Sequence, residues 1–267
     1  MFTDPGLCGG AAQEAGNQSL HMRILITSDL HFNRQQLAGM ARLAAGFDLV
    51  VIAGDLLDLA GHRSIPEQIN EVQAGLATLR AVCPVVVGSG NHDADGHLPD
   101  GETYAVWVEA LAALGCTADG AGCAIGADRL TVCPWWNGAG IRERMLALLE
   151  RERALAVGRW LWVHHAPPRG SRIAWTRRGN AGDPYLTKLI GAYAPAIVIC
   201  GHIHEAPFHA EGAWCERIGV TWVLNAGRQP GDVPATIALD LAAGTAEYRN
   251  MEGCQKIDLG WSAVAPA

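Results

Sequence analysis

The sequence predicts an α/β protein with layered sheets, and two observations carry that prediction. Five apolar runs rich in β-branched residues, "RILITSDLH", "DLVVIAGDLLD", "PVVVGSGNHD", "RWLWVHHAPP" and "PAIVICGHIH", each finish in Gly, Ser, Asp, Asn or His. Helix-like stretches over 34–45, 66–81, 103–114 and 141–157 separate several of them. Runs that stay apolar throughout suit strands covered on both faces. Strands alternating with helices build a layered α/β domain, whose ligands gather beyond the carboxyl ends of the strands.

Taken in order, residues 1–21 lack a basic start, an apolar stretch and any periodicity, so a loose tail and no secretion signal are expected. Met22 opens the first strand, and the five strands with their intervening helices follow. "VTWVLNAG", "PATIALDL" and "GTAEYRN" then read as strands joined by short Gly-containing turns, hence an antiparallel portion. From Met251 onward no element is expected, which makes 251–267 a C-terminal extension. With no internal repeat and no low-complexity linker, one domain over 22–250 is the economical reading.

Composition narrows the function. The chain has 267 residues and a net charge of −7, with a pI near 5.8. That acidity argues against a broad nucleic-acid surface. No apolar run approaches the roughly 18 residues that a membrane-spanning helix needs. The eight cysteines form no C-x-x-C pair, and several lie inside apolar runs. Buried reduced thiols and a cytoplasmic location are expected from that usage.

The strand ends supply Asp29 and His31, then Asp55, then Asn91, His92 and Asp93. They continue with His164 and His165, and finally with His202 and His204. Imidazole, carboxylate and amide carbonyl together suit divalent ions such as Mn, Zn or Fe. The donors outnumber what one tetrahedral ion takes, so two ions are expected. A lone histidine at a strand end is usually only a hydrogen-bonded polar residue, and His62, His97 and His209 are read that way. Partners of matching chemistry at equivalent strand ends reverse that reading for the clustered histidines.

The ordered set D-x-H, G-D-x-x-D, G-N-H-D, a histidine before proline, and G-H-x-H resembles the calcineurin-like metallophosphoesterase superfamily. The resemblance runs over about 23–237 and implies a four-layer αββα sandwich of two mixed β-sheets flanked by helices. It implies that Asp29, His31 and His204 hold one ion, that Asn91, His164 and His202 hold the other, and that Asp55 bridges them. The first residue after the strand is the family's ligand there, which selects His164 and leaves His165 behind it or at the substrate. By the same resemblance His92 would face the substrate and help stabilise or protonate the leaving oxygen, with Asp93 fixing its tautomer and Asp58 orienting a ligand histidine.

The activity so implied is phosphate-ester hydrolysis by in-line attack of a hydroxide generated between the ions. Small phosphodiesters are the first expectation for substrate, with monoesters next. A nuclease of the same superfamily is the alternative, and a non-catalytic scaffold ranks last because no ligand is missing. Neither G-x-S-x-G nor H-x-H-x-D-H occurs. For substrate contact the sequence offers Arg177 and Arg178 in an arginine-rich loop that also holds Trp175, and Trp136 beside Trp135 in "PWWNG". Arg228 joins them, standing where the family's Asn-Pro-Gly-Ser turn carries serine, while Ala226 replaces its proline.

Overall fold

The computed structural model describes residues 22–261, so the tail at 1–21 and the last six residues lie outside the described part. In chain order the elements begin with β1 (Arg23–Thr27), α1 (Arg34–Leu43), β2 (Leu49–Ala53), α2 (Ile65–Arg80) and β3 (Val85–Gly88). The hairpin β4 (Gly96–His97) and β5 (Thr103–Tyr104) then leads to α3 (Val106–Glu109), β6 (Thr117–Ala118), β7 (Gly122–Ile125), β8 (Asp128–Val132) and α4 (Ala139–Arg153). Next come β9 (Trp160–Val163), a second hairpin of β10 (Trp175–Thr176) and β11 (Gly179–Asn180), α5 (Pro184–Tyr193) and β12 (Ile197–Cys200). The chain closes with β13 (Cys215–Ile218), β14 (Thr221–Asn225), β15 (Thr236–Asp240), β16 (Thr245–Asn250) and β17 (Gly253–Asp258).

Two mixed sheets result. One runs β17-β16-β15-β1-β2-β3-β6, parallel from β1 to β6 and antiparallel from β1 outward to β17. The other runs β13-β14-β12-β9-β8-β7, with a parallel centre and an antiparallel strand at each edge. Side chains alternate across each strand, and the alternation sorts the core into three layers. Ile24, Ile26, Val51 and Val86 of the first sheet meet Val132, Leu161, Val163 and Ile199 of the second. On its other face the first sheet packs Leu25, Val50, Ile52 and Val87 against Leu37 and Met40 of α1 and Leu76 of α2. The second sheet packs Trp160, Trp162 and Val198 against Met145 of α4 and Leu186 of α5. The expected four-layer αββα sandwich is therefore the observed one.

Helix starts follow their caps. Asn33 accepts the Gln36 amide at α1, and Ser64 with Glu67 forms a reciprocal box ahead of α2. Asp183 accepts the Tyr185 and Leu186 amides in front of Pro184, a start signal for α5 that apolar periodicity alone does not reveal. Two expectations are corrected. The stretch 103–114 begins in the β5 strand rather than in a helix, and α3 gives way to a 3₁₀ turn over Ala110–Leu114. Beyond Met251 the chain is not structureless, because β17 pairs along the whole of β16. Its sequence, GCQKID, carries no apolar alternation because an edge strand is exposed over most of its length. Among the described residues no helix is long and apolar enough to cross a membrane.

Past β6, the buried Asp119 carboxylate accepts the Ser89 amide at 2.9 Å. Burial pushes its pKa up to about 7, against the pull of Ser89. The native group thus stays protonated where an unfolded aspartate, near 3.8, has ionised. Stability is fully present below the unfolded value and is lost progressively as pH rises to about 7. Asp119→Asn is therefore expected to raise the melting temperature by a few degrees at pH 7.5 and to change it little at pH 4. Thermal unfolding followed at both pH values checks this.

Candidate metal centre

The polar strand ends converge where the two sheets meet. Their loops leave the strands through unusual backbone: Asp29, His31, Asp55 and His202 all have positive φ, between 41° and 69°. Asp and His tolerate this left-handed region better than bulky residues, and its cost is repaid where a side chain must turn inward. The motif glycines serve the same crowding. A Cβ on Gly90 would overlap the Asp55 carboxylate, and one on Gly54 would sit 2.6 Å from His165 Nδ1.

Asp29, His31, Asp55 and His204 form one donor set, and Asp55, His165 and His202 form a second. His31 Nε2 and His204 Nε2 face each other at 2.9 Å, with Asp29 Oδ1 3.2 Å from the latter. Asp55 Oδ2 stands between the sets, 3.6 Å from His31 Nε2 and 3.2 Å from His165 Nε2. Asn91 Oδ1 joins the second set, 2.8 Å from His202 Nδ1. Expected residues Asp29, His31, Asp55, Asn91, His202 and His204 are thus brought together.

His164 is not among them. Residues 161 and 163 face the other sheet, and His165 continues that parity, whereas His164 continues the helix-facing parity of Trp160 and Trp162. His165 Nδ1–H donates to the Ala53 carbonyl at 2.7 Å, which leaves its Nε2 facing Asp55 Oδ2 at 3.2 Å. The His164 ring instead stacks on Trp136 at 3.8 Å, and Trp136 is buried with its N–H given to Asp183. Trp136 is therefore core packing, not a substrate contact. Trp135, its half-exposed neighbour, is the indole that lies against His165 and His202, at 5.7 and 5.4 Å between rings.

The role expected of Asp93 also changes. Its buried carboxylate accepts the amides of Asp55, Leu56, Leu57 and Gly90 and makes no bond to His92. The Leu59 amide, at 3.3 Å, donates to His92 Nδ1 and so fixes the neutral ring with its proton on Nε2. Asp58 lies with His31 and His92 at the rim and accepts the Ala60 amide. Arg228 is exposed, and its charge helps depress His31. Arg177 and Arg178 occupy the exposed turn between β10 and β11.

Electrostatically the pocket is short of positive charge. Burial holds His31 and His202 down to about 4, so both are neutral at pH 7. Asp29 and Asp55 stay below the usual carboxylate range in spite of burial, because imidazoles hydrogen-bond and face them. His165 rises instead, to about 9, burial being outweighed by the Asp55 charge beside it. Two buried carboxylates facing convergent imidazole nitrogens, with His165 offsetting only part of their charge, form a site that suits cations. The Nε2 atoms of both His164 and His165 are buried without an aligned hydrogen-bond partner, and only that of His165 faces the carboxylates, 3.2 Å from Asp55 Oδ2. The residues fit a pair of divalent ions.

The fold and this donor set define a layered α/β scaffold with residues able to hold metal ions where its two sheets meet. The model of the calcineurin-like phosphoesterase family matches residues 22–206, and the chain belongs to that family. No curated protein matches the sequence. Among solved structures, TT1561 of Thermus thermophilus is 15% identical with a TM-score of 0.55, over 90% of this chain and 99% of that one. Purple acid phosphatase PPD1 from yellow lupin (Lupinus luteus) seeds is 17% identical with a TM-score of 0.57, over 90% of this chain and 53% of that one. At such identities the likeness concerns the fold.

His165→Ala is expected to lose one bound ion after metal loading, measured by elemental analysis of the purified protein. His164→Phe keeps the stack on Trp136 and is expected to retain the full metal content. Asp93→Ala, which strands four amides, should lower stability by at least about 3 kcal/mol in urea titrations.

Proposed function

We propose that the protein is a dinuclear metal-dependent phosphoesterase acting on small phosphodiesters, with Asp29, His31 and His204 around one ion, and Asn91, His165 and His202 around the other. Asp55 is the shared ligand. The observation that carries this reading is the position of Asp55 Oδ2, between His31 and His165 and within 3.6 Å of both imidazoles. Paired divalent ions, when bound, acidify a water and offset the charge growing on phosphoryl oxygens.

The chain's own groups do the rest. Asp29 is held by Ser28 Oγ–H at 2.5 Å and by the His202 amide at 3.0 Å, so its carboxylate cannot swing away. The His92 amide donates to Asp55 Oδ1 at 2.9 Å, which fixes the second oxygen toward the donors. The His92 Nε2–H is left to donate a hydrogen bond to a leaving oxygen, while neutral His31 and His202 remain available as donors at pH 7. The net charge of −7 favours small esters over long nucleic acids.

The test is hydrolysis of bis(p-nitrophenyl) phosphate, p-nitrophenyl phosphate, cyclic nucleotides and single-stranded oligonucleotides after chelation and reloading with Mn, Zn or Fe. Turnover of the small diester is expected only in the reloaded protein. Asp55→Asn keeps the bond from the His92 amide, and with Asn91→Ala it should cut turnover by about a hundredfold or more at unchanged circular dichroism. Wild-type turnover in either variant would overturn the assignment. Preferential cleavage of the oligonucleotide would favour a nuclease instead.

A further inference from the structure

Two adjacent tryptophans follow β8, and the structure gives them opposite circumstances. Trp136 is buried, stacked on His164 and satisfied by Asp183. Trp135 is half-exposed and belongs to none of the three hydrophobic clusters. Packing therefore does not account for its indole. Yet its backbone is firmly placed: the Trp135 N–H donates to Ser89 Oγ at 3.0 Å, and Ser89 is bound to the buried Asp119. The ring lies 5.4 Å from His202 and 5.7 Å from His165, and within 9° of parallel to His164. A rigid, partly open aromatic face thus borders the metal donors themselves.

We infer that Trp135 is the platform on which the planar group of the ester stacks, so that the substrates are phosphate esters bearing an aromatic π-system close to the phosphoryl group. The inference rests on the phosphoesterase reading and adds a substrate class to it. Stacking on a partly open indole is tolerant of which ring is offered, and its strength is that of a base on an aromatic side chain. An already ordered ring also loses little freedom when it is covered. Two kinds of ester share this chemistry: aryl esters, whose ring is attached directly, and nucleotides, whose base lies one sugar away.

Binding to the metal-loaded protein separates them. Two pairs are titrated calorimetrically: phenylphosphonate against methylphosphonate, and the phosphonate analogue of adenosine 5′-monophosphate against that of ribose 5-phosphate. The C–P bonds resist hydrolysis, so affinity is read without turnover. At least one planar member should bind roughly tenfold or more tightly than its non-planar twin. Trp135→Ala should erase that difference and Trp135→Phe should keep part of it, while the non-planar affinities stay constant. The pair that responds identifies an aryl or a nucleoside ester. No preference for either planar member in the wild type, or a preference that survives Trp135→Ala, overturns the inference. Should the alanine variant not fold, the wild-type pairs and the phenylalanine variant decide it. Failure of every phosphonate to bind overturns the inference as well, while the phosphoesterase reading beneath it stands or falls on hydrolysis of the small diester.

Discussion

One buried carboxylate holds the two loops on which the centre is built. Asp93 gathers the amides of Asp55, Leu56 and Leu57 from the end of β2 and that of Gly90 from the end of β3. Three successive amides can point at one acceptor only if the chain curls, and the positive φ of Asp55 is that curl. The Trp107 indole donates to the Asp93 carbonyl at 2.8 Å, so α3 clamps the same residue from behind. Burial and the Asp55 charge push the Asp93 pKa up to about 7, and the amides pull against them. The aspartate that closes G-N-H-D thus shapes the backbone that presents Asp55.

The centre also depends on how the sheets meet. Asp29, His31, Asp55 and Asn91 follow strands of the first sheet, whereas His165, His202 and His204 follow strands of the second. Neither sheet alone carries either donor set. The layer of Ile24, Ile26, Val51, Leu161, Val163 and Ile199 between the sheets sets their spacing. A change there of even one methylene moves one half of the centre against the other, because close-packed interiors transmit such shifts.

Much of this was legible in the sequence. Apolar runs ending in polar residues announced parallel strands covered on both faces, and the donor types at their ends announced a site for two ions. Less legible was anything requiring parity beyond the strand end. Choosing between His164 and His165 needs the face on which Leu161 and Val163 lie, and that face follows from the second sheet. The sequence motif around Asp93 suggested a partner for His92 because the two are adjacent, yet adjacent residues on a tight turn point apart. Trp135 and Trp136 were indistinguishable for the same reason. The polar strand β17 escaped notice because pairing with β16, and not burial of its own side chains, holds it.

The distribution of roles along the chain follows from these constraints. Donors on the first sheet sit on loops pinned by buried acceptors, Asp93 for the Asp55 and Gly90 loops and Asp119 for Ser89. In the second sheet the loop after β9 is long, with the β10–β11 hairpin inserted between His165 and α5. Arg172 anchors that hairpin's base through the carbonyls of Ala210 and Gly212, and Trp175 stacks on His209, so it is braced against the segment following His204. Rigid donors on one sheet and braced, exposed loops on the other let the ion-holding geometry stay fixed while the rim varies. On the second sheet's side, Trp135 sets an aromatic face against the donors His165 and His202.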